Sequence, residues 1–152
     1  MEKMAYTQLF THLVFGTYKR QNTLSESNYH RLIKYFNRII SNKRCVPYEI
    51  NGTANHLHFL ISMHPTLGIA DLVKDIKLAA SDLIYREKLF YHFNGWQSKY
   101  AAFNLSYDRV ETVQAYIQNQ REHHKTQNFE EELKELLDKA GIQYDPKYLF
   151  AD

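Results

Sequence analysis

The stretch "NHLHFLISMHP", Asn55–Pro65, carries two patterns at once. Side chains on a strand alternate faces. Leu57, Phe59, Ile61 and Met63 therefore fall on one face, and His56, His58, Leu60 and Ser62 on the other. The first set is a continuous apolar stripe, suited to packing beneath a helix. The second brings two imidazoles side by side, about 7 Å apart along the strand by rise. Polar rings on an apolar element are costly unless something satisfies them. Imidazoles so spaced can converge on one divalent ion. The spacing also fits two half-exposed strand histidines, and two nitrogens alone leave a metal site incomplete.

Working outward, "PYEINGTANHLHFLISM" reads as two short strands around "NGTAN", a hairpin signal. "YTQLFTHLVFGTY", Tyr6–Tyr18, is rich in aromatic and β-branched residues and predicts another strand. "TLSE", Thr23–Glu26, has capping-box spacing ahead of a helix with Tyr29, Leu32, Ile33, Phe36, Ile39 and Ile40 on one face. After Pro65 and Gly68, apolar residues at 69, 72, 73, 76, 80, 83 and 84 predict an amphipathic helix from Ile69 to about Arg86. "KYAAFNLS" predicts a strand. A helix capped by Ser106 or Asp108 should run to about Gln127, and "FEEELKELLDKAG" is a short acidic helix stopped by Gly141. The order β-α-β-β-α-β predicts an α+β fold: a ferredoxin-like antiparallel sheet with helices on one face and additional C-terminal helices. Residues 1–152 read as a single domain.

The one cysteine, Cys45, excludes an intrachain disulfide and a Cys-rich zinc site. No apolar run approaches the roughly 20 residues of a membrane span, and "MEKMAYTQLF" lacks the layout of a signal peptide. The expected location is cytoplasmic, with no membrane partner. The formal net charge of +2 is unevenly spread. Residues 1–107 hold 13 Lys and Arg against 7 Asp and Glu, whereas residues 108–152 hold 6 against 10. A basic front with an acidic tail is compatible with nucleic-acid binding.

A third ligand is available in "VETVQAYIQNQREHHK", Val110–Lys125. At about 100° per residue, Arg109, Tyr116, Gln120 and His123 form a stripe flanking the apolar side of Val110, Val113, Ile117 and His124. A tyrosine phenol, with an ordinary pKa of about 10, is a poor nucleophile at neutral pH. Attack on a phosphodiester needs a cation to withdraw charge from the phosphate. A His-His-Gln site would hold it, and an amide oxygen suits Mg²⁺ or Mn²⁺ better than zinc. The alternative is a core-edge Tyr116 with Gln120 at the surface, and His123 is either a proton shuttle or simply exposed.

"NHLHFLI" resembles the His-hydrophobic-His motif of the HUH endonuclease superfamily. "AYIQNQREHHK" resembles the tyrosine helix of its single-tyrosine transposases from small bacterial insertion sequences, the IS200-like type. "THLVFGTYKRQ", "IADLVKDIKLAASDLI", "WQSKYAAFNLS" and "GIQYDPKYLF" are similar to further family segments in family order. Where the family commonly has "GYGAF", this chain has "KYAAF", Lys99–Phe103.

The resemblance implies His56 and His58 as paired metal ligands, Gln120 as the third, Tyr116 as nucleophile, and Mg²⁺ or Mn²⁺ as the ion. It implies cleavage and rejoining of single-stranded DNA through a 5′-phosphotyrosine, recognition of DNA hairpins at element ends, and a homodimer whose active sites can be shared between subunits. A domesticated relative acting on repeated palindromes would look the same. A non-catalytic single-strand-binding module is the contrasting possibility. Lys74 and Lys77 on the polar face of the helix from Ile69, with Lys19, Arg20 and Lys99, are candidate DNA-backbone contacts.

Overall fold

The computed structural model describes residues 5–151, so the first four residues of the stretch read for a leader lie outside it. Four strands form one sheet: β1 (Phe10–Gly16), β2 (Val46–Gly52), β3 (His56–Ser62) and β4 (Ala101–Asn104). Their order is β2-β3-β1-β4, and every pairing is antiparallel. With α1 (Tyr29–Asn42) between β1 and β2, and α2 (Ile69–Glu87) between β3 and β4, this is the expected ferredoxin-like arrangement. The first strand is shorter than its sequence suggested, because residues 5–9 pair with no strand. Thr23–Glu26 does not cap a helix. A 3₁₀ turn at Glu26–Asn28 intervenes, and α1 begins at Tyr29 without a side-chain cap.

Alternation on β1 and β3 builds the larger core. Leu13, Phe15, Leu57, Phe59 and Ile61 point to α1 and α2, where they meet Leu32, Phe36, Ile40, Leu72, Ile76 and Ala80. Phe59 stacks on Phe15 with ring centroids 5.2 Å apart and takes Phe36 edge-on at 5.1 Å. Each such side chain, fully removed from water, contributes about 1.5–3 kcal/mol. Trp96 joins this core, and its indole N–H donates to the Lys77 carbonyl.

The expectation of helices on one face is corrected here. The face bearing His56 and His58 is covered as well, by α3 (Val110–Gln118), α4 (Gln120–His123) and α5 (Phe129–Lys139). Phe129, Leu133 and Leu137 of α5 pack on Val14 and Ala101 to form a second, smaller core. The physical reason is the burial of β3 on both sides: all its residues but Ser62 are buried. A central strand with two covered faces cannot leave its second face to water. The helix expected to run to Gln127 is also divided. Asn51 on β2 donates from its Nδ2 to the carbonyls of Ile117 and Gln118, at 3.1 and 3.2 Å, groups that a continuous helix would use itself. Asn119 leaves helical geometry at that point, and the chain restarts at Gln120. Asn128 caps α5 by accepting from the Glu131 amide at 2.8 Å.

Gly52 ends β2 where the hairpin folds back onto His56. A Cβ there would lie 2.1 Å from the His56 carbonyl oxygen and 2.9 Å from the Leu57 Cα, both backbone atoms. Gly52→Ala should therefore destabilise the protein by about 1–3 kcal/mol, read as a lowered urea midpoint with an unchanged m-value. Wild-type stability in this variant would refute the close approach.

Candidate active site

The second sheet face carries the polar groups, and the strand register decides which. On β3, His56 and His58 are both fully buried. On β1, opposite them, Gly16 pairs with His56 and Val14 with His58. Gly16 has no side chain to occupy the space over its strand, and a Cβ would meet the Phe129 ring at 3.0 Å. Phe129 uses that space to stack on the His56 ring at 4.2 Å. His12, one turn of the alternation further along the same face, sets its Nε2 2.8 Å from His58 Nδ1.

Glu132 of α5 reaches the centre of this group. Its side chain is 1% exposed. Its Oε1 lies 3.0 Å from His58 Nε2, 2.9 Å from His124 Nε2 and 3.4 Å from His56 Nε2. Its Oε2 accepts from Gln120 Nε2 at 2.9 Å and from the Tyr116 hydroxyl. Gln120 turns its other end, Oε1, to His56 Nε2 at 2.9 Å. The Tyr116 ring packs against His58, His12 and His123 at centroid distances of 5.8, 6.2 and 5.5 Å. On its outer side Tyr116 lines a surface depression of about 520 Å³ with Thr112, Ala115, Asn119 and His123.

Burial sets the charge states. Removal from water, with a smaller push from the nearby His58 and against the pull of Glu132, lowers His12 to about 3. Removal from water likewise lowers His56 to about 4, against the opposing pull of Glu132. Burial would raise the Glu132 carboxyl, but its hydrogen bonds with His124, His56 and His58 together outweigh that and hold it well below the carboxylate range. The Tyr116 phenol is pushed well above its ordinary value, first by burial and then by the Glu132 charge. Tyr116 is thus protonated and donates to Glu132.

The donor set fits a divalent ion. One ligand-capable atom from each of His56, His58, His124 and Glu132 lies within 4.8 Å of the others. The Nδ1 atoms of His56 and His58 are held elsewhere, by Asn55 Oδ1 and Thr53 Oγ1 at 2.9 Å and by His12 Nε2 at 2.8 Å. Such outer contacts fix ring orientation and leave Nε2 to coordinate. A neutral His56 has one N–H, which cannot serve Asn55 Oδ1 and Gln120 Oε1 together. A cation at Nε2 resolves that surplus of electron pairs.

Of the residues singled out from sequence, His56, His58, Tyr116 and Gln120 are brought together; the proposed cations are not. Lys77 donates to the Gln97 carbonyl at 2.6 Å and lies over the Phe15 ring, and Lys74 is exposed on α2, across the sheet from Tyr116. Arg20 lies over Phe150, itself beside Phe129, and Lys99 donates to the Ala151 carbonyl, so these two border the cover of the site. Lys19 is exposed beside Arg20, its ammonium 5.3 Å from the Tyr18 ring. Sequence reasoning missed Glu132 and His12, and it set His124 on the apolar side of its helix with no ligand role. Glu132 was detectable: it lies three residues after Phe129 and one before Leu133, on the apolar stripe of α5, whereas Glu130 and Glu131 face solvent.

The sequence profile of a family described as "Transposase IS200 like" matches residues 5–120. No curated protein matches the chain. Among solved structures, a candidate transposase from Deinococcus radiodurans R1 superposes with a TM-score of 0.61 at 22% identity, over 79% of this chain and 96% of that one. A REP-associated tyrosine transposase bound to a REP hairpin superposes with a TM-score of 0.59 at 12% identity, over 82% of this chain and 74% of its own. At these identities the likeness is one of fold. No helix among the described residues is long and apolar enough to cross a membrane.

The buried histidines give the metal-free protein a pH-dependent stability. Their folded pKa values, about 3 for His12 and about 4 for His56, lie below the unfolded value of about 6.5. Between those limits the unfolded chain binds more protons, so this stability is complete above about pH 6.5 and is lost as pH falls through the acid range. Glu132, depressed in the folded state, adds a loss of the same sign below its unfolded value. The melting temperature in chelator should be lower at pH 5 than at pH 7.5. An equal or higher value at pH 5 would contradict the burial of neutral rings.

Proposed function

The chain belongs to the IS200-like transposase family, and we propose that it cleaves and rejoins single-stranded DNA with Tyr116 as the nucleophile and a divalent ion, Mg²⁺ or Mn²⁺, held by His56, His58 and Gln120. The observation that carries the reading is the meeting of the Tyr116 hydroxyl, both histidines and Gln120 around one point within a single protomer. When bound, the ion would supply a Lewis acid that draws charge from the scissile phosphate.

Tyr116 Oη attacks the phosphorus, the bond from phosphorus to the 3′-oxygen breaks, and the phenol proton is made good on the departing 3′-oxygen. The products are a 5′-phosphotyrosine and a free 3′-OH. A second 3′-OH attacks the ester and releases Tyr116, so no external energy source enters. Before the attack, Glu132 accepts from the phenol and holds it in place.

The substrate class follows from the family and from a fold relative that is bound to a REP hairpin: a DNA hairpin with a flanking single strand. Lys19, Arg20 and Lys99 border the covered face and suit its phosphates, and Lys74 would contact a strand passing over α2. Lys77, engaged with Gln97 and Phe15, would contact DNA only by giving up those partners. A homodimer is part of the reading. Because His56 and His58 are fully buried, a phosphodiester reaches them only if the α5 cover shifts.

The test is covalent trapping on single-stranded hairpin DNA with Mg²⁺ or Mn²⁺. Wild-type protein should give a denaturation-resistant adduct that chelator prevents. Tyr116→Phe should abolish it, because no other group in the site can form the ester, while hairpin affinity stays within a few-fold. His58→Ala should also lose it. Adduct formation by Tyr116→Phe would remove Tyr116 from the role.

A further inference from the structure

We propose that Glu132 is itself a ligand of the divalent ion, so that the ion ties helix α5 to strand β3; this rests on the metal-site reading above. Neighbouring ligand atoms on an ion with bonds of about 2.0–2.2 Å lie about 2.9–3.5 Å apart. The spacings of Glu132 Oε1 to the Nε2 atoms of His58, His56 and His124 are 3.0, 3.4 and 2.9 Å, and His56 Nε2 to Gln120 Oε1 is 2.9 Å. These four spacings match those of neighbouring ligands on one ion, the donor atoms of the three histidines and Glu132 all lie within 4.8 Å of one another, and the far nitrogens of His56 and His58 are held by Asn55 and His12.

The placement of this acid argues in the same direction. Glu130, Glu131 and Glu135 on the same helix are exposed, and only Glu132 is turned into the sheet. A carboxylate gains nothing from apolar packing there; Gln120 and Tyr116 satisfy its Oε2, while its Oε1 faces three imidazole nitrogens and gains most from a positive charge among them. The family match ends at residue 120, so this ligand comes from a segment beyond the matched part of the chain. Two imidazoles and a carboxylate, with a third imidazole and an amide oxygen beside them, favour a nitrogen-accepting ion such as Mn²⁺ over Mg²⁺, which prefers an all-oxygen shell.

The experiment is calorimetric titration of Mn²⁺ into the protein, without DNA. Wild type should bind the ion, and its melting temperature should rise on loading. Glu132→Gln should weaken Mn²⁺ by about tenfold or more and remove most of that rise, while the exposed neighbour Glu131→Gln should match wild type. Far-ultraviolet circular dichroism checks that α5 remains helical. Glu132→Cys separates ligation from structure: it should gain Cd²⁺ binding with a thiolate-to-cadmium charge-transfer band absent from wild type, whose one cysteine, Cys45, is buried elsewhere in the fold. If wild type binds Mn²⁺ and Glu132→Gln binds it as tightly, Glu132 is no ligand and the His-His-Gln site stands. If wild type binds no divalent ion, the metal-site reading and this proposal fall together.

Discussion

A carboxylate enclosed by imidazoles, with water excluded, is the constraint on which the second half of this molecule is built. Glu132 cannot be buried alone, and it cannot be satisfied by any one element. Its partners come from β3, from α3, from α4 and from the turn after it. The geometry of three helices against the sheet is therefore fixed from inside by one anion. The apolar contribution on this side is small: five residues form the second core, against more than twenty in the first. The two sheet faces are thus held by different physics. One is a dispersion-packed interior that tolerates volume-conserving exchange. The other is a polar network in which the loss of one member strands the rest.

That division explains what the sequence disclosed. Period-two alternation in His56–Ser62 and the helical period from Ile69 reflect burial along one element, and both were legible. So was the set His56, His58, Tyr116 and Gln120, because each pair is short-range and matches a family pattern. The break at Asn119 was not legible, since its cause is Asn51, a side chain on another strand. His12 needed the β1–β3 register before its proximity to His58 had meaning. Glu132 lay in plain view on the apolar stripe of its helix. It was absorbed into the general acidity of "FEEELKELLDK", where charge reads as solvent exposure. That the C-terminal helices cover the second face went unforeseen for a related reason. His56 and His58 made that face look polar, although the structure buries them completely.

The coverage of this face has a consequence for the order in which the protein is made. Among the described residues, every strand and both helices of the larger core lie before residue 105, and the segment that closes the other face comes after residue 109. A chain emerging from the ribosome amino end first can complete the sheet and its first helical layer while α5 is still unsynthesised. Until then Val14, Ala101 and the imidazoles of β3 stand open to water and to whatever ions the cell supplies. Tyr116 arrives next, and the Glu132 carboxylate that accepts from its hydroxyl arrives last. The order of synthesis is therefore also the order in which the site is assembled and sealed.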